Sequence, residues 1–211
     1  VYFRIGVPFE NVWMERIASS RPGLTVVDLR EGIDLVPVSS ARPGGGRGPG
    51  ALDPHVWTAP PLVRLLAARI RDALSRAEPS RAAAFAEGFR RFAAELDALD
   101  AEIRRTLAGR RERSFLVFHP SWGYFARSYG LTQIPIEEEG KEPGPRALAR
   151  TIETARRLGI RVVFVQKQFA RKDADAVAAA IGGEVVAIDP LSEDFLANTR
   201  TVAAALARGL R

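Results

Sequence analysis

The chain lacks cysteine altogether, and its 211 residues include only two histidines and one methionine. Without cysteine it can form no disulfide, no thiolate metal site and no cysteine nucleophile. No apolar run approaches the roughly 20 residues that a membrane-spanning helix needs. Soft metal ligands are therefore few, and the first candidates are the two histidines, His55 and His119.

Lysine is scarce, and the formal net charge of +6 comes almost entirely from arginine. A basic balance raises the question of nucleic-acid binding. The arginines, however, are interleaved with acidic residues along predicted helices, and no basic run with interleaved aromatic residues occurs. We therefore expect solvated helix faces and no nucleic-acid partner.

The first part of the chain predicts a strand, a helix and a strand, over Tyr2–Gly6, Phe9–Ala18 and Leu24–Leu29. Residues 41–50 follow, with the sequence ARPGGGRGPG, and this composition is typical of a surface loop. The loop leads directly to Asp53 and His55. Because Val1 opens in what reads as a strand already in progress, we expect that an upstream segment is missing.

Two helices are predicted next. Apolar residues recur at helical spacing after Pro60 and Pro61, and again from Pro79 to Ala108. At roughly 1.5 Å per residue the second helix would be about 45 Å long, which exceeds one small lobe. We interpret it as a spine between two lobes, with residues 1–77 as a partial N-terminal lobe, residues 78–109 as the spine and residues 110–211 as the C-terminal lobe.

After residue 110 strands and helices alternate, which predicts a parallel α/β sheet. The strands are expected at Ser114–Phe118, Leu131–Ile136, Ile160–Val165 and Glu184–Ile188, and the helices at Tyr124–Tyr129, Pro145–Leu158, Asp173–Ile181 and Glu193–Ala207. Ligands of such sheets bind at the carboxyl ends of the strands. His119 follows the first of these strands and Asp189 the last, so both are expected at one sheet edge, which His55 can reach from the other lobe.

Two imidazoles and a carboxylate suit Zn²⁺ and, less exclusively, Mn²⁺ or Fe²⁺. Structural roles stay open for each of the three residues, because a histidine beside an aromatic residue is often a packed core residue and Asp before Pro is a common turn starter. We expect Trp57 and Trp122 to be packed walls of the site. The acidic run at residues 137–139 is expected to be a solvated loop.

Three stretches resemble the solute-binding proteins of zinc and manganese ABC importers, known as cluster A-I. They are residues 53–57 (DPHVW), His119 with the following Gly123-Tyr124-Phe125, and residues 139–143 (EGKEP). The likeness runs from Tyr2 to the C terminus. It implies an α/β fold of two lobes with parallel sheets joined by a long rigid helix, the metal-type periplasmic binding protein fold, with an incomplete N-terminal lobe here.

The resemblance implies that His55, His119 and Asp189 are metal ligands, and that a fourth ligand, a histidine, lies before Val1. His119 favours zinc, because manganese members often carry Glu at this position and imidazole is the softer ligand. Zinc members often carry a His- and acid-rich loop before Asp-Pro-His. Residues 41–50 contain no histidine, so we expect no metal-capturing role for that loop.

The function implied by the resemblance is that of a monomeric carrier on the periplasmic or membrane-anchored extracytoplasmic side. It would bind Zn²⁺ as cargo, with Mn²⁺ as the alternative, and hand the ion to the membrane permease of an ABC importer. No enzymatic activity is expected. Two other classes stay open: a zinc hydrolase, in which three protein ligands leave one position for an activated water, and a surface adhesin of the same fold.

Overall fold

The computed structural model describes residues 1–37, 52–137, 143–169 and 171–210. The elements are β1 (Tyr2–Arg4), α1 (Pro8–Ser20), β2 (Val26–Asp28), α2 (Pro60–Ala77), α3 (Ala82–Leu107), β3 (Ser114–Val117), α4 (Gly123–Ser128), β4 (Thr132–Pro135), α5 (Pro145–Arg157), β5 (Val162–Gln166), α6 (Lys172–Ile181), β6 (Glu184–Ile188) and α7 (Phe195–Gly209). Their bounds lie within about three residues of the predicted ones, the usual uncertainty at element ends. The predicted loop at residues 41–50 lies outside the described residues.

Strands β3 to β6 form a parallel sheet, as the alternating pattern predicted, and their order in the sheet is β4-β3-β5-β6. Alternate side chains of each strand enter two separate cores, because successive residues of a strand face opposite sides of the sheet. One core lies under α3, α4 and α7 and includes Phe115, Val117 and Phe164. The other lies under α5 and α6 and includes Leu116, Val163 and Val165. Both faces are covered, as is usual for a parallel sheet.

A third core belongs to the N-terminal part of the chain. Strands β1 and β2 pair in parallel, with Phe3 opposite Val27. Together with α2 they enclose a small group of buried residues that also includes Tyr124 from α4. The core of the N-terminal part is thus completed by a side chain from the C-terminal part.

Helix α3 is the longest described helix, with 26 residues. It packs against α2 on one side and against α7 on the other, and Arg200 of α7 pairs with its Glu102 at 2.8 Å. It therefore contacts both parts of the chain, while the lobe boundaries at residues 77 and 109 stay a prediction. None of the described helices has the combination of length and apolar character that a membrane span requires.

Candidate metal centre

His119 stands at the carboxyl edge of the four-stranded sheet, two residues beyond the end of β3. Its Nδ1 atom lies 2.7 Å from Oε1 of Glu137, which stands two residues beyond the end of β4. Because β3 and β4 are parallel neighbours with Val117 opposite Pro135, the chain positions two residues further on also lie side by side. A carboxylate can only accept a hydrogen bond, so Nδ1 carries the proton and the Nε2 lone pair of His119 is left for a metal.

The expectation of a solvated loop was therefore wrong for Glu137, whose side chain is only 4% exposed. The run of three glutamates suggested a surface segment, but the end of β4 carries its first member inwards beside His119. Residues 138–139 lie outside the described residues. A search for polar residues at equal distances beyond successive strand ends would have found this pair.

His55, in the N-terminal part of the chain, is also held by a buried carboxylate at its Nδ1 atom. It lies in the turn that precedes α2, and Oδ1 of Asp53 accepts from the backbone N–H of His55 at 3.0 Å and lies 2.6 Å from its Nδ1. The Asp53 side chain is only 5% exposed. The sequence predicted no separate role for Asp53 within the DPHVW motif, and the structure gives it the role of orienting the imidazole that follows it by two residues.

The two imidazoles meet with their Nε2 atoms 3.4 Å apart, although 64 residues separate them in sequence. Their rings are nearly perpendicular, at 76°, with centroids 5.2 Å apart. With both protons on Nδ1, each of the two neighbouring Nε2 atoms keeps a lone pair, and a cation between the two atoms would be stabilised by both. Two nitrogen ligands of one tetrahedral zinc ion, each bonded at roughly 2.0–2.1 Å, lie about 3.4 Å apart. His55 and His119 therefore have the spacing of two ligands of a single zinc ion.

The segment that carries His119 is fixed by Gln166 at the end of β5. The Gln166 side chain accepts from the His119 backbone N–H at 3.2 Å and donates to the His119 carbonyl at 2.5 Å and to Ser121 Oγ at 2.9 Å. Phe169 stacks on the His119 ring, with an interplanar angle of 19°. These contacts reduce the rotational freedom that His119 would lose on binding an ion.

Asp189 follows β6 at the same sheet edge, as predicted, but β5 lies between β6 and β3. Its carboxylate accepts from Gln168 Nε2 at 3.0 Å and from the Leu191 N–H at 2.9 Å, and it lies 3.7 Å from Lys167 Nζ. The hydrogen bond from Gln168 is the main cause that lowers the pKa of Asp189. The contact with Leu191 is that of a turn starter, the alternative role left open for this residue.

Among the residues that the structure describes, no three or more His, Cys, Asp and Glu side chains form a group that could hold a metal. The structure thus brings His55 and His119 together, and the role of Asp189 as a third ligand stays a prediction. Trp57 connects the surroundings of His55 to those of Asp189. Its ring lies 5.2 Å from that of His55, and its Nε1 donates to the carbonyl of Pro190, the residue after Asp189, at 3.0 Å.

Comparison with known proteins places these features in a family. The family model described as ZnuA, zinc-uptake complex component A, periplasmic, matches residues 1–209. The zinc-binding protein AdcA of Streptococcus pyogenes is 30% identical over 143 residues, which cover 67% of this chain and 28% of AdcA. The high-affinity zinc uptake system protein ZnuA of Bacillus subtilis is 28% identical over 143 residues, which cover 67% of this chain and 45% of that protein. The chain thus matches less than half the length of these two relatives.

Solved structures give the same result over nearly the whole chain. A crystal structure of ZnuA matches with a TM-score of 0.90 at 35% identity, and the match covers 99% of this chain and 78% of that ZnuA chain. A zinc-bound ZnuA deletion mutant has a TM-score of 0.89 at 37% identity and covers 100% and 78%. The laminin-binding adhesin Lmb of Streptococcus agalactiae reaches 0.78 at 25% identity and covers 89% and 71%. The predicted metal-type periplasmic binding protein fold is confirmed, and the chain belongs to the ZnuA family of periplasmic zinc-uptake components.

Proposed function

We propose that this protein binds Zn²⁺ as cargo and delivers it to the membrane permease of an ABC importer. Membership of the ZnuA family supports the transport role. The observation that carries the proposal is the pair of imidazoles of His55 and His119, whose Nε2 atoms face each other at 3.4 Å. Each imidazole is also hydrogen-bonded at Nδ1 to a buried carboxylate, the usual outer shell of a histidine zinc ligand.

Two further ligands would complete the four positions that zinc prefers. We propose Asp189 as the third, which requires its carboxylate to exchange the contact with Gln168 or Lys167 for the ion. A set with two imidazoles favours zinc over manganese, which remains the alternative cargo.

A zinc hydrolase needs a general base within reach of an activated water. The buried carboxylates of Asp53 and Glu137 lie beside the two imidazoles, but both are hydrogen-bonded to Nδ1 atoms. This arrangement supports a carrier more than an enzyme. Adhesion, the activity named for Lmb, is a separate prediction for this chain, to be tested by binding to laminin.

The metal site is tested by competition titration of Zn²⁺ and Mn²⁺ against a chromogenic chelator. We expect zinc to bind more tightly than manganese. His55→Ala and His119→Ala should each weaken zinc binding by more than the roughly 10- to 100-fold loss typical of an outer-shell partner, because each removes a direct ligand. Asp189→Asn should weaken it less severely. Asp194→Asn is the matched control, since Asp194 lies close by in sequence and caps α7 through the Ala197 N–H.

Equal zinc affinity of the unaltered chain and both histidine variants would contradict the proposed site. If Asp194→Asn lost as much zinc affinity as Asp189→Asn, the assignment of Asp189 as a ligand would be contradicted, and the assignment of the two histidines would stand. Delivery is tested separately, with the partner permease in vesicles: zinc uptake should require the unaltered carrier and should fail with His119→Ala.

A further inference from the structure

We infer that Tyr124 is a positioning residue of the metal site, whose hydroxyl fixes the segment carrying His55 relative to the segment carrying His119. The inference rests on the proposed zinc-binding function and names how the chain sets the gap between its two histidines. Tyr124 belongs to the Gly123-Tyr124-Phe125 motif, and the sequence alone predicts no role for its hydroxyl.

Tyr124 lies five residues after His119 and is the second residue of α4. Its side chain does not join the core beneath its own helix. It is 2% exposed and packs in the N-terminal core beside Val56, the residue next to His55. One side chain thus crosses from the His119 segment into the surroundings of His55.

The Tyr124 hydroxyl joins two backbone stretches of the N-terminal part. It accepts from the Val36 N–H at 3.2 Å and donates to the Asp53 carbonyl at 2.9 Å. The Asp53 N–H in turn donates to the Val36 carbonyl at 2.8 Å. Burial raises the pKa of Tyr124, so the hydroxyl keeps the proton that it donates.

Asp53 carries this constraint to the metal site, because its Oδ1 holds both the backbone N–H and the Nδ1 of His55. The residue before Tyr124 adds a second contact. A Cβ atom on Gly123 would lie 2.9 Å from Oδ2 of Asp53, so the carboxylate packs directly against the backbone of α4. Both contacts place Asp53, and with it His55, relative to the helix that follows His119.

A gap of 3.4 Å between the two Nε2 atoms suits one zinc ion, and a shift of a few tenths of an ångström would lengthen a metal–nitrogen bond. Removing the hydroxyl would leave the Val36 N–H and the Asp53 carbonyl without their common partner, and their backbone would move to find others. We therefore expect the loss to appear in zinc affinity as well as in stability.

The test is Tyr124→Phe with Tyr129→Phe as the matched control. Tyr129 is 5% exposed, follows the same helix, and donates its hydroxyl to Asp100 at 3.0 Å, in the core beneath α3. Each variant removes one buried phenolic hydroxyl, so both should unfold at a lower temperature. Only Tyr124→Phe should weaken zinc binding, by about 3- to 10-fold, less than the roughly 10- to 100-fold typical of a direct partner of a ligand.

A second measurement is independent of metal. The chain has only two histidines, so the imidazole ¹H–¹⁵N spectrum of the metal-free protein contains two rings to follow. Tyr124→Phe should shift the signals of His55 most and those of His119, whose ring contacts that of His55, less, whereas Tyr129→Phe should move neither.

An unchanged zinc affinity and an unchanged His55 spectrum in Tyr124→Phe would overturn the inference while leaving the proposed function intact. Equal losses of affinity in both tyrosine variants would also overturn it, because they would reflect general destabilisation. If the unaltered chain bound no zinc, the proposed function would fail, and a shifted His55 spectrum would still support the link from Tyr124 to His55.

Discussion

At the residue scale, the buried carboxylate beside each imidazole determines which ring nitrogen is left for a metal. Glu137→Gln keeps the size of the side chain but replaces a charged acceptor with a neutral amide, whose NH₂ group can also face Nδ1. We expect zinc affinity to fall by about 10- to 100-fold, with little change in the folded structure. Competition titration measures the effect, and Glu153→Gln, on the exposed face of α5, is the control. An affinity equal to that of the unaltered chain would show that Glu137 does not orient His119.

Glu137 also shows how far reasoning from sequence reaches. The histidines were found because few residues of this chain can bind a soft metal and both lie in distinctive motifs. Glu137 was missed because its role depends on the pairing of β3 with β4, which brings together residues that are 18 positions apart. Local sequence around the acidic run contains no information about that neighbour.

Gly123 provides a test of how tightly Asp53 is packed. In Gly123→Ala the new methyl group would lie 2.9 Å from Oδ2 of Asp53, so the carboxylate must move. We expect a loss of about 1–3 kcal/mol of unfolding free energy, as for other overpacked sites, together with weaker zinc binding. Denaturant unfolding and zinc titration measure the two effects.

Gly88→Ala is the control for this change. Gly88 lies inside α3, and a Cβ atom there would meet nothing within 4 Å. Alanine is favoured over glycine in a helix interior by about 0.5–1 kcal/mol, so this variant should be more stable than the unaltered chain and should bind zinc equally well. Similar behaviour of the two alanine variants would refute close packing at Gly123.

At the element scale, hydrophobic period and glycine positions predicted the helices and strands well, whereas the order of strands in the sheet was not predictable from them. Asp189 illustrates the consequence. It stands at the expected edge, but β5 separates β6 from β3, which places the strand ends about 10 Å apart at a strand spacing of roughly 4.8 Å. Gln168, which follows β5, is therefore the neighbour that Asp189 contacts.

Arg113 joins the ends of two helices to the sheet. Just before β3, its guanidinium donates to the carbonyls of Leu107 and Gly130 at 3.0 Å each, and also to that of Tyr129. These carbonyls belong to the last residue of α3 and to the residues that follow α4, where helical partners are missing. One side chain thus satisfies acceptors at both helix ends.

We expect Arg113→Met to lower the unfolding free energy by about 1–3 kcal/mol, because the carbonyls of the buried residues Leu107 and Tyr129 would lose a charged donor. Arg111→Met is the control, since Arg111 is exposed and a surface substitution of this kind usually changes stability by less than about 0.5 kcal/mol. Urea unfolding of the three proteins measures the difference. Equal midpoints for the two variants would indicate that solvent satisfies these carbonyls unaided.

At the scale of the whole molecule, a zinc ion bound by both histidines would connect the N-terminal part, which carries His55, to the sheet edge that carries His119. A ligand that binds only the folded state stabilises it by about 2.7 kcal/mol at a hundredfold excess over its Kd. For a chain of this size that corresponds to a rise in Tm of roughly 5–10 °C. We expect this rise with zinc and its loss in His119→Ala. Mg²⁺ should leave Tm nearly unchanged, because it prefers oxygen ligands.

The rise in Tm should also depend on pH, because a proton and a zinc ion compete for the same Nε2 lone pair and metal binding releases protons. Scans with a fixed zinc concentration should therefore show a smaller rise at about pH 5.5 than at about pH 7.5. The metal-free protein, scanned at both values, corrects for changes in stability that are unrelated to zinc. A rise that is the same at both pH values, or that survives in His119→Ala, would place zinc on carboxylates elsewhere on the surface. A rise that shrinks with acid and requires His119 would instead tie the stability of the whole chain to the two facing imidazoles.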